Sequence, residues 1–292
     1  MLDFINVVSQ FRIEGAVESV SPIGNGLINE TLRVTTVGTD TPDYILQRIN
    51  DTVFTDVDLL QHNIETVTAH IRHKLEAQSE QDIDRKCLRF IETSAGKTYY
   101  KDGNGRYWRM SVFIPDTCTK EEVNPENAFC CGETFGNFEQ MLVDLKEPLG
   151  ETIPDFHNME LRLRQLQEAV KADRMGRVAS VRDILGELEC SADEMCLAER
   201  LYRKGTLPKR ICHCDTKVNN MLFDANGKVL CVIDLDTVMP SFVFSDYGDF
   251  LRTGANRVTE DSEKYESIGL NEDIFRAFTE GYLCSAAHFL TP

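Results

Sequence analysis

Several absences narrow the reading first. No apolar run in the 292 residues approaches the roughly 18 to 20 that cross a bilayer, and the opening MLDFINVVSQ lacks the basic start of a secretory signal. Positive charge is scarce, with 31 Lys and Arg against 48 Asp and Glu and a net charge of −17. Nucleic acids and anionic membranes are held mainly by clustered Lys and Arg, so neither is expected as a partner. The ten cysteines show no paired CxxC spacing, and a chain of this length needs no disulfide staples; reduced thiols in a cytoplasmic protein are the expectation. Cys212-His213-Cys214 resembles a ligand set, but neighbouring strand residues point to opposite faces, so we read the two cysteines as small buried residues. The single tryptophan, Trp108, reads as core.

What is present suggests two lobes, because 292 residues exceed one typical domain. The first half is strand-rich. Pro22 to Val34 (PIGNGLINETLRV) reads as strand end, glycine-containing loop and new strand, and Gly24, Asn25 and Gly26 are candidates to bring backbone N–H groups against phosphate oxygens. A plain hairpin turn is the other meaning of GNG. In the strand Tyr44 to Ile49 (YILQRI), Gln47 occupies the place where kinases carry a phosphate-binding lysine, with Arg48 beside it on the other face. Arg48 supplies a cation only if it turns inward. Apolar residues at Val57, Leu60, Ile64, Val67, Ile71 and Leu75 predict a helix over 56–76. Glu65 on it is either the partner of Arg48 or a solvated helix-face residue. Strands are expected at 87–91, 97–101 and 106–114, with Asp102-Gly103-Asn104-Gly105 as a turn. Pro115 and Asp116 end that run, which places the boundary between an N-terminal nucleotide-binding lobe, 1–115, and a helical lobe, 116–292.

The second half has helical spacing. Helices are expected over 125–145, from the cap Asn158 through Lys171, and from Asn271 to about Phe289, with Ser191 to Glu194 as a capping box opening another that Gly205 closes. His157, in the loop before Asn158, is a candidate substrate contact or simply a helix-entry residue. Asp246 and Asp249 read as caps of their own short helix. Thr291-Pro292 looks like the start of a further helix, so a longer parent chain is expected.

The chemistry concentrates between Arg210 and Asp236. His213-x-Asp215-x-Lys217-x-x-Asn220 has the spacing of a kinase catalytic loop, in which an aspartate orients the attacking hydroxyl and an asparagine five residues on holds a metal ion. Residues 220–224, the turn Ala225-Asn226-Gly227 and residues 228–233 form a hairpin pattern that would return Asp234 beside Asp215 and Asn220. Phosphoryl transfer asks the protein for positioning and electrostatics more than covalent chemistry. In this reading Asp215 meets the acceptor hydroxyl, Lys217 reaches the transferring phosphate, and Asn220 and Asp234 hold Mg²⁺ between nucleotide phosphates. Asp236 is a further metal group. Acidic composition is compatible with ATP, which arrives with its metal.

These residues resemble the aminoglycoside phosphotransferase and choline kinase superfamily, whose loop reads H-G-D-x-x-x-x-N before a strand ending in I-D. Cys214 stands where that family has glycine. GNGLINETLRV, YILQRIN, HCDTKVNN and VIDLDTVMP look most like N-acetylhexosamine 1-kinases, from about residue 20 onward. The resemblance implies an α+β, two-lobed protein-kinase-like fold, ATP and Mg²⁺ as cofactors, Asp215 as catalytic base, Asn220 and Asp234 as metal ligands, and the anomeric hydroxyl of an amino sugar as acceptor. It also accounts for a strand without the lysine. Two rivals stay open: a kinase for choline, homoserine or an aminoglycoside, and a nucleotide-binding regulator without turnover.

Overall fold

The computed structural model describes residues 2–24, 28–259 and 262–291. Asn25 and Gly26 of the glycine loop, and Pro292, lie outside the described residues. Helix α1 (Leu2–Val8) precedes β1 (Val17–Pro22), β2 (Glu30–Thr36) and β3 (Tyr44–Ile49). Helix α2 (Val57–Ala77) and the single turn α3 (Ile83–Lys86) then lead to β4 (Tyr99–Lys101) and β5 (Tyr107–Val112). The five strands form one antiparallel sheet in the order β1-β2-β3-β5-β4.

Strand periodicity divides this sheet into two chemical faces. Tyr44 and Leu46 on β3, Trp108 and Met110 on β5, and Val34 on β2 pack with Val7, Val8 and Phe11. Trp108 is buried as expected, donating from its indole N–H to Asp102 Oδ2 at 3.0 Å. The alternate residues face the other way, and there Gln47 stands directly opposite Arg109 in the β3–β5 register.

Asp56 caps α2 by accepting from Leu59 N at 2.9 Å. The apolar stripe read from the sequence is buried: Leu60, Ile64 and Val67 are fully enclosed, worth about 1.5–3 kcal/mol each relative to exposure. Their neighbours include Phe138 and Met141 from the helical half and Leu235 and Val238 from the segment after the hairpin, so one core joins sheet and helices.

The helical half contains α4 (Pro125–Leu142), α5 (Met159–Ala172), α6 (Arg182–Met195), α7 (Leu197–Arg203), α8 (Val243–Gly254) and α9 (Glu272–Ala286). Asn124, Asn158 and Asn271 cap α4, α5 and α9 through their side chains. Two short strand pairings hold the central stretch: β6 (Arg210–Cys212) with β9 (Met239–Ser241), and the hairpin β7 (Met221–Phe223) with β8 (Val229–Val232). Gly227 makes the hairpin turn at φ +80, where a side chain would be strained, and Asp224 Oδ1 accepts from Asn226 N and Lys228 N. No helix among the described residues is long and apolar enough to cross a membrane.

Some expected elements differ. The motif Ser191 to Glu194 opens no helix; it lies inside the end of α6, where Ser191 Oγ bonds back to Glu187 O at 3.1 Å. A hydroxyl satisfied by the preceding turn has no need to cap one. Residues 87–91 pair with β5 through isolated bonds, Ile91 N to Met110 O and Val112 N to Arg89 O, instead of forming a regular strand.

Helices α4 and α9 approach so closely that glycine is required at the crossing. A Cβ on Gly281 would fall on the Phe129 carbonyl oxygen, and one on Gly132 on the Phe278 carbonyl oxygen. Beside them Phe250 and Phe278 stack at 3.8 Å. Gly281→Ala must therefore separate two backbones, and we expect thermal denaturation to show a loss of about 1–3 kcal/mol or more. Gly186→Ala, in α6 where the added Cβ meets open space, should instead gain about 0.5–1 kcal/mol.

Candidate active site

The loop 213–220 owes its shape to α8. Cys214 has φ +64, a left-handed conformation that disfavours any side chain, so neighbouring contacts must impose it. Asp246, fully enclosed on α8, does so: its carboxylate accepts from His213 N at 2.6 Å and from Cys214 N at 2.9 Å. One turn on, Asp249 Oδ2 accepts from Thr216 N at 2.9 Å, and Thr216 Oγ1 donates to Asp246 O at 2.6 Å. Neither aspartate caps its own helix, as the sequence suggested; Phe242 is the N-cap, without a side-chain bond. Burial outweighs these bonds and raises the Asp246 carboxyl to about 6.

His213 connects this loop to the hairpin. Its ring contacts Phe135 and Phe138 edge-on, and Nε2, facing a carbonyl oxygen that can only accept, donates to Ile233 O at 3.0 Å. Thr237 Oγ1 donates to His213 O at 2.8 Å. With Ile233 N bonded to Asn220 O at 2.9 Å, these contacts place Asp234 next to the loop. Cys212 and Cys214 are buried thiols packed with Met239, and burial lifts both well above the ordinary thiol value.

Asp215, Lys217, Asn220 and Asp234 come together at the mouth of this loop. Asn220 Nδ2 donates to Asp215 O at 2.8 Å and to Asp215 Oδ2 at 3.0 Å, while Lys217 Nζ stands 3.6 Å from Asp215 Oδ1. The asparagine's amide nitrogen is thus engaged by Asp215, leaving its oxygen as the donor atom offered to a cation. Asp234 is reached by solvent, yet its carboxyl is pushed up by protein atoms around it and by the charges of Asp236 and Asp215, against the pull of Arg109 and Lys217. Hard oxygen donors amid crowded negative charge suit Mg²⁺. Asn220 and Asp234 would hold it, and the ion would supply charge neutralisation for bound phosphates.

Asp236 departs from its expected place in that set. One oxygen lies 2.5 Å from Arg109 Nη1 and the other accepts from Asn29 Nδ2 at 2.7 Å, so this buried carboxylate joins the hairpin end to the sheet instead of facing the cleft.

The strand residues also divide differently from the expectation. Arg48 shares the face of Tyr44 and Leu46, is exposed, and pairs with Glu30 at 3.7 Å. Glu65 is not its partner: it accepts from Thr98 Oγ1 at the surface. Gln47 does face inward, donating to Thr31 Oγ1 at 3.3 Å and accepting from Arg109 Nε at 3.0 Å. Gly24 has φ +72 at the hairpin between β1 and β2, where Ile23 N bonds Thr31 O. His157 stacks on Phe156 at 4.4 Å, its buried Nδ1 has no hydrogen-bond partner, and its ordinary value is lowered by burial against the nearby charges of Asp249 and Asp215. The cavity beside it is lined by Glu151, Asp155, Asn158, Glu199, Lys209 and Cys214.

The sequence profile of the phosphotransferase enzyme family matches residues 19–283. This chain belongs to that family. Solved structures of similar fold include a microcompartment-associated aminopropanol kinase (15% identity, 100% of this chain and 82% of that one, TM-score 0.60). An amicoumacin kinase solved with AMP-PNP and Ca²⁺ is also similar (13%, 97% and 77%, 0.57). A spectinomycin phosphotransferase solved with ADP and spectinomycin is a third (13%, 96% and 79%, 0.55). At these identities the likeness concerns the fold: α+β, with a sheet-rich N-terminal part and a helical C-terminal part.

This phosphotransferase also carries groups that sequence reasoning missed. Arg109 was visible as a cation in mid-strand (YWRMSV), on the face opposite Trp108 and Met110. Glu139 gave no signal beyond a polar residue on the buried stripe of α4. It accepts from Tyr282 Oη, and its ligand atom lies within 4.8 Å of those of Cys212 and Asp246. Burial first, and the Asp246 charge second, push Glu139 up to about 9. Glu139 therefore keeps its proton beside Asp246, and a neutral carboxylic acid there disfavours a cation.

A carboxyl raised on folding stabilises the native state fully below its unfolded value near 4.5, and that contribution is lost as pH rises through about 9. Urea denaturation between pH 6 and 9.5 should show the wild type losing stability relative to Glu139→Gln, whose side chain does not titrate. Parallel curves would contradict a protonated Glu139.

Proposed function

We propose that this family member is an ATP- and Mg²⁺-dependent small-molecule kinase that phosphorylates an acceptor hydroxyl by direct in-line transfer. The observation that carries the reading is the Asp215–Asn220 contact, at 2.8 and 3.0 Å, beside Asp234. Asp215 takes the acceptor proton as the new oxygen–phosphorus bond forms; the bond from the γ-phosphorus to the bridging oxygen breaks, and ADP leaves. Lys217 stabilises charge on the transferred group. Asn220 and Asp234 would hold the metal, and the backbone at Gly24 would lie against the phosphates. The ten free cysteines fit action in a reducing cytoplasm.

For the acceptor we propose the anomeric hydroxyl of an N-acetylhexosamine, on the strength of GNGLINETLRV, YILQRIN, HCDTKVNN and VIDLDTVMP. His157, with an unpartnered nitrogen near Asp215, is a hydrogen-bonding group for it. An amine-bearing acceptor is the second reading, favoured by Glu151, Asp155 and Glu199 around the adjoining cavity.

ADP release measured across N-acetylglucosamine, N-acetylgalactosamine, choline, homoserine, aminopropanol and kanamycin separates these readings. We expect turnover with an N-acetylhexosamine, and a fall of at least about 10³-fold in Asp215→Asn with MgATP affinity retained. Turnover surviving in that variant would remove Asp215 from its role. ATP binding without turnover on any acceptor would favour a regulator.

A further inference from the structure

The sheet face directed at the cleft presents a cation from an unexpected strand. On β3 the inward residue is Gln47, which carries no charge, and Arg48 points away to Glu30. Directly opposite Gln47 in the ladder stands Arg109, whose side chain is 2% exposed. Its guanidinium lies between Gln47 Oε1, 3.0 Å from Nε, and Asp236 Oδ1, 2.5 Å from Nη1. These two contacts engage the guanidinium only through Nε and Nη1, inside a buried pair with Asp236. A buried guanidinium with donor capacity left over is poised for another anion, and its planar fork matches phosphate oxygens. Its charge also reaches Asp234, so it acts on the same cleft as Asp215 and Lys217.

Resting on the kinase reading above, we infer that Arg109 is the residue with which this chain grips the nucleotide's β- and γ-phosphates, supplied from β5 in place of a lysine on β3, with Asp236 as its partner before nucleotide arrives. Binding then exchanges one anion for another. The guanidinium passes from the Asp236 carboxylate to the phosphates, and Gln47 keeps Nε aligned. Asn29 retains its bond to the other Asp236 oxygen, so that carboxylate is not left bare when the arginine moves.

Adjacency of the two strands allows the charge to be relocated experimentally. Dissociation constants for MgATP, MgADP and adenosine, with melting temperatures, would be compared in the wild type, Arg109→Gln, Gln47→Lys/Arg109→Gln and Arg48→Gln. We expect Arg109→Gln to weaken MgATP about 10- to 100-fold while adenosine binds unchanged, the loss for one charge-assisted phosphate contact. Gln47→Lys in that background should recover most of the affinity, and Arg48→Gln should leave it unaltered. Equal MgATP affinity in Arg109→Gln and wild type would overturn the inference, as would equal losses for MgATP and adenosine, which would make Arg109 only a structural staple. Should Arg109→Gln fail to fold, the double variant decides: folded yet without preference for MgATP over adenosine, it overturns the inference. A wild type that binds no nucleotide overturns the kinase reading and this inference with it.

Discussion

The loop 213–220 depends on one buried carboxylate. Asp246 offers both oxygens to consecutive backbone N–H groups, His213 and Cys214, and in doing so holds Cys214 in a left-handed conformation that its side chain opposes. A non-glycine residue there costs on the order of 1–2 kcal/mol, whereas the two N–H groups, left buried without an acceptor, would cost about 1–3 kcal/mol each. The clamp wins that comparison. It explains how cysteine is accommodated at a left-handed position that favours glycine.

Around this anchor the constraints form a closed circuit. His213 ties the loop to Ile233, Thr237 ties it back from beyond Asp234, and Asn220 spans Asp215 and the hairpin backbone. Asp236 then joins that hairpin to the sheet through Arg109 and Asn29, while Asn63 on α2 donates to Val238 O and Gly150 O. Polar contacts therefore register the sheet against the helical half at the same place where an apolar core, with Ile64 and Val67 against Phe138 and Leu235, joins them. The end of the hairpin is tied to the sheet through a charge pair.

Legibility from the sequence followed the range of the interactions. The α2 stripe, the Asn158 and Asn271 caps and the 220–233 hairpin rest on local periodicity and turn chemistry, and each was readable within a short window. Asp246 and Asp249 looked like helix caps because an aspartate near a helix start ordinarily is one; their true partners lie about thirty residues upstream, beyond any local pattern. Arg48 and Glu65 failed for a related reason. The pleat dictated that Gln47 and Arg48 face opposite ways but not which faced the cleft, and that choice was made by the packing of Tyr44 and Leu46 under α1. Arg109 required the β3–β5 register, a long-range property.

In the proposed reaction the loop held by Asp246 presents Asp215 and Asn220 to a metal–nucleotide complex shared with Asp234. A crystal structure with Mg²⁺ and a non-hydrolysable ATP analogue tests it most directly. We expect Mg²⁺ bonded to oxygens of Asn220 and Asp234 at about 2.0–2.1 Å, with the terminal phosphate facing Asp215. A metal bound elsewhere, or a nucleotide whose phosphates point away from Asp215, would contradict it.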